Sequence, residues 1–512
     1  MEIISSVQMR QIEDACLKQG ISTETLMENA GRAVAVFARH LLEEQNGCRV
    51  LILAGAGNNG GDGLVAGRYL RSWGEKVSIF VPFIDTPKGK TVQGCLEASG
   101  DIFAGLAELE EHLADADLVI DALLGTGVNR SLEGIYKEAL QMTANVRNTR
   151  PEMQVLAVDL PSGLNADTGQ ADDACLKADF TLSLGIAKQG LFTHRGLELS
   201  GAVSVADIGI PPELTTDIQA VLIKKDWAKS VLPVRSPHAN KGNFGRVMIV
   251  AGSDRYIGAA ILAGSAAMRV GAGLVTLALP ESLTGAVASR IPEATYLPLP
   301  EVSSGTADNS AARFVLSELG KYDVLLIGPG LGQTGYSARL VTEVLSNLPV
   351  GLKVIIDADA LNILSAIPDW WLEYKFDAVL TPHPGEMARL AKTTTEAVQS
   401  DRFGLCQKFA CKWGKTLILK GAGTIVTSPQ GETLCNPAAN PVLASAGTGD
   451  VLAGIIGGLL GQGVSLFEAA GLGVYLHSLA AEALRSEIGD AGVLASDLLL
   501  KLPVVIKGLK QD

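Results

Sequence analysis

The 512-residue chain lacks the features that mark a secreted or membrane protein. Its first residues show no basic segment followed by an apolar core, so we expect no secretory signal there. No apolar stretch reaches the ~18 residues of a membrane span without polar interruption. The nearest one, 451–464, is rich in glycine and contains Gln462. The sequence therefore predicts a cytoplasmic protein with no membrane contact.

Clusters of metal-binding side chains are also missing from the sequence. The seven cysteines are scattered and form no CxxC pair, and the six histidines are dispersed. Zinc sites group these residues at short spacings. Disulfide frameworks use even numbers of cysteines in secreted chains. We therefore expect reduced thiols and no zinc centre.

Positive charge is scarce: 42 Lys and Arg stand against 55 Asp and Glu, a formal net charge of −13. No Lys/Arg run occurs, so we expect no nucleic acid partner. Hydrophobic residues make up 47% of the chain, which excludes a disordered protein and leaves room for a buried homo-oligomer interface. Composition favours an α/β enzyme that acts on a small molecule.

Two series of short apolar runs, separated by helical patterns, predict two domains with parallel sheets covered on both faces. The first series comprises residues 50–54, 77–81, 118–122, 155–158 and 180–184. The second comprises residues 247–251, 274–278, 324–327, 354–357, 378–380 and 416–419. A proline-rich interval at 205–240 separates them. We predict one domain over residues 1–220 and another over 221–512.

Helical spacing of apolar residues predicts helices at both ends of the chain. Before the first strand, Val7, Ile12 and Leu17 form one such pattern, and residues 26–41 form a second. At the other end, we expect helices over 449–460 and 467–485.

A glycine-rich turn, Gly55–Gly63, follows the first strand-like run. It matches GxGxxG, in which glycines let backbone amides approach a phosphate. A hydride-transferring dehydrogenase is therefore one reading. Against it, the acid expected after the next strand comes late, at Asp85, and a dinucleotide turn needs neither two asparagines nor Asp62.

Two more strand-like runs end in polar clusters, DALLGTG at 121–127 and DLPSG at 159–163. The carboxyl ends of neighbouring parallel strands converge on one crevice. Asn59, Asp121 and Ser162 could then present oxygen ligands to a hard cation. The alternative is that Asp121 and Asp159 merely cap the following helices.

GNNGGDG, DALLGTG and DLPSG together resemble the NAD(P)H-hydrate epimerases over about residues 1–215. The resemblance implies a Rossmann-like three-layer αβα fold and inversion at C6 of the hydrated nicotinamide ring. It implies potassium bound by Asn59, Asp121 and Ser162, with Asp159 as the acid/base that contacts the ring. Lys88 or Lys90 is a looser candidate. The implied substrate contacts are Asn58, Asn59, Gly60, Gly61, Asp62, Gly125, Thr126, Gly127, Val128, Asn129, Arg130, Ser131 and Asp159.

Glycine-rich loops also follow strand-like runs in the second half. AGTGD at 446–450 precedes a helix, so its amides could hold a transferring phosphoryl group while Asp450 takes a hydroxyl proton. By itself, GTGD also fits a simple helix start. His383 lies between two prolines that stiffen the backbone, which favours a ligand contact. Lys420 could meet a phosphate or neutralise a carboxylate.

The loops GPGLG, TPHPGE, KGAGT and AGTGD resemble the ribokinase-like superfamily. VMIVAGSD and GAAILAGSAAMRVGAG narrow the resemblance to its NAD(P)H-hydrate dehydratase branch, over about residues 225–507. It implies a ribokinase-like αβα fold and ADP with magnesium as phosphoryl donor; ADP rather than ATP rests on the resemblance alone. The implied hydrate contacts are Ala260, Gly330, His383 and Asp450, and the implied nucleotide contacts are Lys420, Gly421, Ala422, Gly423, Thr424 and Gly449.

These resemblances predict a bifunctional enzyme whose substrates are the hydrates NADHX and NADPHX. The first domain would interconvert their R and S forms, and the second would dehydrate the S form with Asp450 as base. One alternative is a vitamin or sugar kinase fused to a dinucleotide-binding regulatory module. Another makes the first domain a binding module without catalytic activity.

Overall fold

The computed structural model describes residues 1–45, 47–84, 101–127, 131–300 and 309–511. The chain divides into two compact units, Met1–Val221 and Leu222–Asp512, beside the boundary expected from the proline-rich interval. Each unit is an α/β structure, and the predicted fold class is confirmed. Within the described ranges, every helix is too short or too polar to cross a membrane.

Seven parallel strands form the main sheet among the described residues of the first unit, in the order β4-β3-β2-β5-β6-β7-β9. β1 and β8 form a separate parallel pair. The strands are β1 (Ile3–Ile4), β2 (Arg49–Ala54), β3 (Lys76–Phe80), β4 (Asp101–Phe103), β5 (Leu118–Ala122), β6 (Gln154–Val158), β7 (Phe180–Leu184), β8 (Ala187–Lys188) and β9 (Ala202–Ala206). The helices are α1 (Ser6–Lys18), α2 (Thr23–Gln45), α3 (Asn58–Ser72), α4 (Leu106–Asp115), α5 (Gly134–Thr149) and α6 (His194–Leu199).

Two apolar cores lie on opposite faces of this sheet. Val50 and Ile52 of β2 pack in the core that contains residues of α1, α2 and α3. Leu51 and Leu53 of the same strand pack in the core formed with α4 and α5. Burial of both faces explains why the strands appear in the sequence as unbroken apolar runs.

The predicted face of the first helix is only partly correct. Val7 and Leu17 are 51% and 48% exposed, whereas Met9, Ile12 and Cys16 are buried. The buried stripe thus includes a cysteine, which the apolar pattern did not weigh as a core residue.

The first sheet changes direction between β2 and β5. From β2 the chain adds β3 and β4 on one side, and from β5 it adds β6, β7 and β9 on the other. The loops after β2 and β5 therefore flank the crevice in which α/β sheets bind ligands. These loops carry GNNGGDG and DALLGTG.

Glycine is required here because the two loops lie in close contact. A Cβ on Gly55 would lie 1.7 Å from the carbonyl oxygen of Leu123, and a Cβ on Gly60 would lie 1.7 Å from that of Gly55. Helix α3 begins at Asn58, within the glycine-rich segment itself. The NNGGD segment thus forms the first turns of α3.

The second unit is built on a mixed sheet in the order β19-β18-β17-β16-β15-β14-β11-β12-β13, with the boundary strand β10 (Ala220–Leu222) next to β19. The remaining strands are β11 (Arg246–Val250), β12 (Leu274–Pro280), β13 (Thr295–Leu299), β14 (Val324–Ile327), β15 (Lys353–Ile356), β16 (Ala378–Leu380), β17 (Thr416–Leu419), β18 (Thr424–Thr427) and β19 (Thr433–Asn436). The pairings from β13 to β17 are parallel, whereas β17, β18 and β19 are antiparallel. The apolar pattern did not predict this antiparallel edge.

Helices accompany each parallel strand of this unit. They are α7 (Lys225–Val231), α8 (Ile257–Arg269), α9 (Thr284–Ala288), α10 (Ser310–Leu319), α11 (Gly335–Ser346), α12 (Asp359–Ser365), α13 (Trp370–Glu373), α14 (Pro384–Ala391), α15 (Thr395–Ser400), α16 (Arg402–Trp413), α17 (Thr448–Gly461), α18 (Leu466–Ile488) and α19 (Ala495–Gln511). The second sheet changes direction between β11 and β14. The loops after β11, β14, β15, β16 and β17 consequently open towards the same edge.

Small residues allow α17 and α8 to pack closely. A Cβ on Gly454 of α17 would lie 2.2 Å from the carbonyl oxygen of Ala263, and one on Gly458 would lie 2.5 Å from that of Ala267. Backbone atoms cannot move aside as a flexible side chain can. The fixed approach of α8 therefore holds the helix that carries Asp450.

We predict that Gly454→Ala lowers the free energy of unfolding of the second unit by about 1–3 kcal/mol, the usual cost of overpacking. This loss should exceed the ~1 kcal/mol gain of alanine over glycine inside a helix. Gly508→Ala is the control, because a Cβ there meets nothing within 4 Å, so it should stabilise slightly. Urea denaturation followed by circular dichroism measures both, and a stabilised Gly454→Ala would contradict the packing argument.

Candidate active sites

The three predicted cation ligands of the first unit lie together at the carboxyl ends of the strands. Asp121 is the penultimate residue of β5. Its carboxylate accepts hydrogen bonds from the backbone N–H and the hydroxyl of Ser162 at 2.8 and 2.6 Å. The Asn59 amide donates to the carbonyl of Leu124 at 3.0 Å. The backbone N–H of Leu124 donates to the Ser162 hydroxyl at 2.9 Å. The three side chains thus share one short segment of the loop after β5.

Asp121 is fully buried, and this burial raises the pKa of its carboxyl group, although the two hydrogen bonds from Ser162 act in the opposite direction. Its contacts show that it is not a helix cap. Within the described part of the chain, no cluster of three or more His, Cys, Asp or Glu side chains could hold a metal. A cation beside Asp121 would therefore also need amide, hydroxyl or carbonyl oxygens, which is the donor set that suits hard cations.

Asp159 lies at the end of β6 in a strained conformation. Its φ of +64° is uncommon for a residue other than glycine and is characteristic of functional sites. Its Oδ1 atom accepts from the N–H of Leu184 at 2.9 Å and from the hydroxyl of Ser183 at 3.1 Å. The carboxylate is thus held across the ends of two adjacent strands and, like Asp121, does not cap a helix.

A buried lysine that we did not predict completes this arrangement. The Nζ atom of Lys188 lies 2.5 Å from Oδ1 of Asp159 and donates to the carbonyl of Leu184 at 2.9 Å. Lys188 is 1% exposed, and its backbone is paired with Ile4 in the β1–β8 ladder. The feature of the sequence that could have indicated Lys188 is a charged residue soon after an apolar strand. Lys88 and Lys90, which we had considered, lie outside the described residues.

Asp62 adds a second buried carboxyl group to this site. It is 7% exposed, and none of the described residues forms a hydrogen bond with its side chain. Burial raises the pKa of Asp62 well above its ordinary value, and the charge of Asp159 adds to this effect while Lys188 opposes it. Asp62 is therefore a neutral acid over a wider pH range than an exposed aspartate.

The other predicted substrate contacts of the first unit line the same loops. Asn58 and Gly127 are exposed, whereas Gly60 is buried. Gly125 lies against Asn59, since a Cβ on Gly125 would be 3.2 Å from the Cβ of Asn59. The remaining predicted contacts are Gly61, Thr126 and the exposed Ser131, whereas Val128, Asn129 and Arg130 lie outside the described residues.

We predict that Asp62→Asn stabilises the first unit, and more so at pH 8 than at pH 4. The raised pKa means that the native state keeps a proton that the unfolded chain releases. Wild-type stability therefore falls by about 1.4 kcal/mol for each pH unit between the unfolded and native pKa values. Urea denaturation at both pH values measures the difference, with the exposed Asp173→Asn as control. Equal stabilisation at both pH values would show that Asp62 is not held protonated.

The second site contains a comparable lysine–carboxylate pair. The Nζ atom of Lys420, after β17, lies 3.0 Å from Oδ1 of Asp357, which follows β15. Thr381, after β16, donates its hydroxyl to the same carboxylate oxygen at 2.5 Å. Asp357 is 1% exposed, and the next residue, Ala358, has a φ of +50°. Lys420 therefore neutralises a carboxylate, as one of our two readings expected, and we had not predicted Asp357.

Asp450 lies in the first turn of α17, which begins at Thr448. Burial raises the pKa of Asp450 to about 7, and the charge of Asp357 adds to this effect while Lys420 opposes it. A Cβ on Gly449 would lie 3.4 Å from the Nζ atom of Lys420. The helix terminus, the lysine and a carboxyl group that titrates near neutrality thus form one centre.

His383 and Glu386 form a capping box at the start of α14. The Nδ1 atom of His383 accepts from the N–H of Gly385 at 3.1 Å, and Glu386 accepts from the N–H of His383 at 2.9 Å. Burial lowers the pKa of His383 and raises that of Glu386 to about 7. The His383 side chain remains about half exposed, and its Nε2 atom lies 3.5 Å from Oε1 of Glu386.

The loops after β11 and β14 are joined by a hydrogen bond of 2.7 Å from the Ser253 hydroxyl to the carbonyl of Gly330. Gly330 has a φ of +62°, and a Cβ there would lie 2.7 Å from the Cβ of Ala259. Ala260 is 1% exposed and packs beneath Gly252. Gly330 thus lies at the crevice, while the side chain of Ala260 supports the loop above it.

The predicted nucleotide loop is the hairpin turn between β17 and β18. Gly421 and Gly423 have φ values of +136° and +64°, which side chains rarely adopt. The hydroxyl of Thr424 closes the turn by donating to the carbonyl of Gly421 at 2.7 Å. Ala422 lies at the partly exposed tip.

Comparison with known proteins assigns both halves of the chain. Residues 247–504 match the family described as NAD(P)H-hydrate dehydratase, and residues 23–190 match the family described as YjeF-related protein N-terminus. The bifunctional NAD(P)H-hydrate repair enzyme of Moorella thermoacetica is 38% identical, with 100% of this chain and 98% of the relative covered. That of Escherichia coli K12 is 34% identical, with 95% and 90% covered.

Among solved structures, a ribokinase-like superfamily protein from Enterococcus faecalis V583 is 30% identical, with a TM-score of 0.50. The match covers 57% of this chain and 98% of that one. Fold and sites thus define a two-unit α/β enzyme with one ribokinase-like half. The chain belongs to the family of bifunctional NAD(P)H-hydrate repair enzymes, and the resemblance predicted for both halves is confirmed.

Proposed function

We propose that the first unit interconverts the R and S hydrates of NADH and NADPH, and that the second unit dehydrates the S form at the expense of ADP. The observation that carries this proposal is that each unit has a lysine paired with a buried carboxylate at its strand ends. Each pair lies beside the motif loops that match the family. Location in the cytoplasm and assembly into an oligomer stay predictions.

Epimerisation requires proton transfer at the C6 hydroxyl. When this hydroxyl leaves as water, it needs a proton, and water that adds to the opposite face must return one. The Asp159–Lys188 pair would supply and recover that proton. Asn58–Asp62 and the loop from Gly125 to Ser131 would hold the ring and the phosphates, with amides at the start of α3 facing negative charge.

Potassium suits the oxygen donors of Asn59, Asp121 and Ser162, because these side chains converge without a second carboxylate among them. Bound there, it would offset the charge of Asp121 and of a neighbouring substrate phosphate. The raised pKa of Asp121 agrees with a buried carboxylate that has no positive partner among the described residues.

Dehydration first needs a better leaving group than hydroxide. Asp450 takes the proton of the C6 hydroxyl while the oxygen of that hydroxyl attacks the terminal phosphorus of ADP, and AMP departs. Loss of phosphate from C6 and of a proton from the adjacent ring carbon then restores the double bond. A pKa of about 7 lets Asp450 accept a proton near neutral pH.

The hydrate would contact Ala260, Gly330, His383 and Asp450. The nucleotide would contact the loop Lys420–Thr424 and Gly449. Lys420, held by Asp357 at 3.0 Å, would stabilise negative charge on the transferring group. Magnesium would accompany the diphosphate and neutralise part of its charge.

We predict that Asp450→Asn lowers dehydration by at least ~10²-fold, the usual contribution of a positioned base, and leaves epimerisation unchanged. Asp159→Asn should slow epimerisation and leave dehydration unchanged. Release of phosphate and recovery of the reduced-nicotinamide absorbance measure dehydration, and R-to-S conversion is followed by chromatography. Each variant serves as the folding control of the other.

Three results would contradict this assignment. Loss of both activities in either folded variant would exclude separate sites. A stable phosphorylated product would favour the alternative of a vitamin or sugar kinase. An unchanged epimerisation rate in Asp159→Asn would favour a first unit that only binds its ligand.

We also predict that replacing potassium with tetramethylammonium slows epimerisation. A bulky organic cation cannot be bound closely by the oxygens of Asn59, Asp121 and Ser162. The rate is measured over a potassium titration at constant ionic strength, in the wild-type enzyme and in Ser162→Ala. A rate independent of potassium in the wild type would remove the cation from the proposed site.

A further inference from the structure

A buried arginine without a carboxylate partner lies beneath the predicted nucleotide loop. Arg402, the first residue of α16, is 3% exposed. Among the described residues, no Asp or Glu forms an ion pair with it, and its Nε atom has no hydrogen-bond partner. Buried charges are normally paired, and guanidinium groups stay protonated in proteins. Among the described residues, the charge of Arg402 therefore has no carboxylate to balance it.

The guanidinium group of Arg402 binds the inner side of the loop. Its Nη2 atom donates to the carbonyl oxygens of Leu419, Lys420 and Gly423 at 3.1, 3.3 and 3.3 Å. Its Nη1 atom donates to the side-chain oxygen of Gln399 at 2.8 Å. One side chain thus fixes the orientation of three peptide groups in a turn of four residues.

This arrangement also determines where the amides of the loop point. In a trans peptide, the carbonyl and the following N–H point in opposite directions. Because the carbonyl of Lys420 faces Arg402, the N–H of Gly421 faces away from it. Among the described residues, neither this N–H nor that of Ala422 has an acceptor. Two free donors therefore lie at the partly exposed tip of the turn.

An anion is the ligand that these features fit. The free amides offer hydrogen bonds, and the buried guanidinium offers an unopposed positive charge on the other side of a thin loop. A Cβ on Gly421 would already lie 3.3 Å from Nη1 of Arg402, so the charge lies close behind the donors. The charge of Lys420, in contrast, is already partly balanced by its ion pair with Asp357.

We propose that Arg402 is a positioning residue that orients the loop Lys420–Gly423 and provides the counter-charge for a phosphate group of the bound nucleotide. This inference rests on the proposed use of ADP by the second unit. It assigns the phosphate end of the nucleotide, rather than its base, to the amides of Gly421 and Ala422.

The test compares ligands with and without phosphate. For Arg402→Gln we expect the Kd for ADP to rise by about tenfold or more, as for loss of charge-assisted bonding. The Kd for adenosine should stay nearly unchanged, and kcat at saturating ADP should fall much less than kcat/KM. Arg402→Lys should recover part of the ADP affinity, because lysine keeps the positive charge but lacks the planar set of N–H donors of the guanidinium group. Calorimetry and steady-state kinetics measure these quantities.

Lys415→Met is the matched control. Lys415 is also a 3% exposed cation, and it binds the carbonyl of Phe376. It lies at the opposite end of β17 from the loop, so its loss should leave the Kd for ADP unchanged. Epimerisation by the same preparations reports whether the first unit remains folded and active.

Two outcomes would overturn the proposal while leaving the proposed function intact. One is wild-type ADP affinity in Arg402→Gln. The other is an equal loss of affinity for ADP and adenosine, which would show a general collapse of the loop. If the wild-type enzyme itself binds no ADP and releases no phosphate from it, the proposed function fails, and this inference fails with it.

Discussion

The ion pair between a lysine and a buried carboxylate at the strand ends is the interaction on which both sites depend. In the first unit, Lys188 binds Asp159, and in the second, Lys420 binds Asp357. Removing such charges from water is costly, and their attraction repays the cost only with good geometry and further hydrogen bonds. Each carboxylate has those bonds, from groups on the neighbouring strand end. The pairs are thus more readily explained by reactivity than by stability.

Backbone strain accompanies each pair. Asp159 has a φ of +64° and Ala358, next to Asp357, one of +50°. Such conformations cost about 1–3 kcal/mol each and persist only where the surrounding structure enforces them. Here the buried strands before each residue and the hydrogen bonds to each carboxylate supply that constraint.

The sequence predicted the parts of each site that are local and repeated. Unbroken apolar runs located the parallel strands, and glycine clusters located the loops, because both follow from neighbours along the chain. It did not predict Lys188, Asp357 or Arg402. Each is a single charged residue without a motif, and its role depends on which strand ends become adjacent. That adjacency is set by strand order, which no local pattern encodes. The antiparallel edge at β17–β19 was missed for the same reason.

The raised pKa values show why the carboxyl groups at these edges remain useful. A fully solvated aspartate is too weak a base to take a proton from an alcohol, whereas burial brings the pKa of Asp450 to about 7. The charge of Asp357 adds to this rise of the pKa, whereas Lys420 opposes it. The same lysine lies against Gly449, where the proposed phosphoryl transfer would develop charge. Every described group in this balance belongs to the second unit, as every described group around Asp159 belongs to the first.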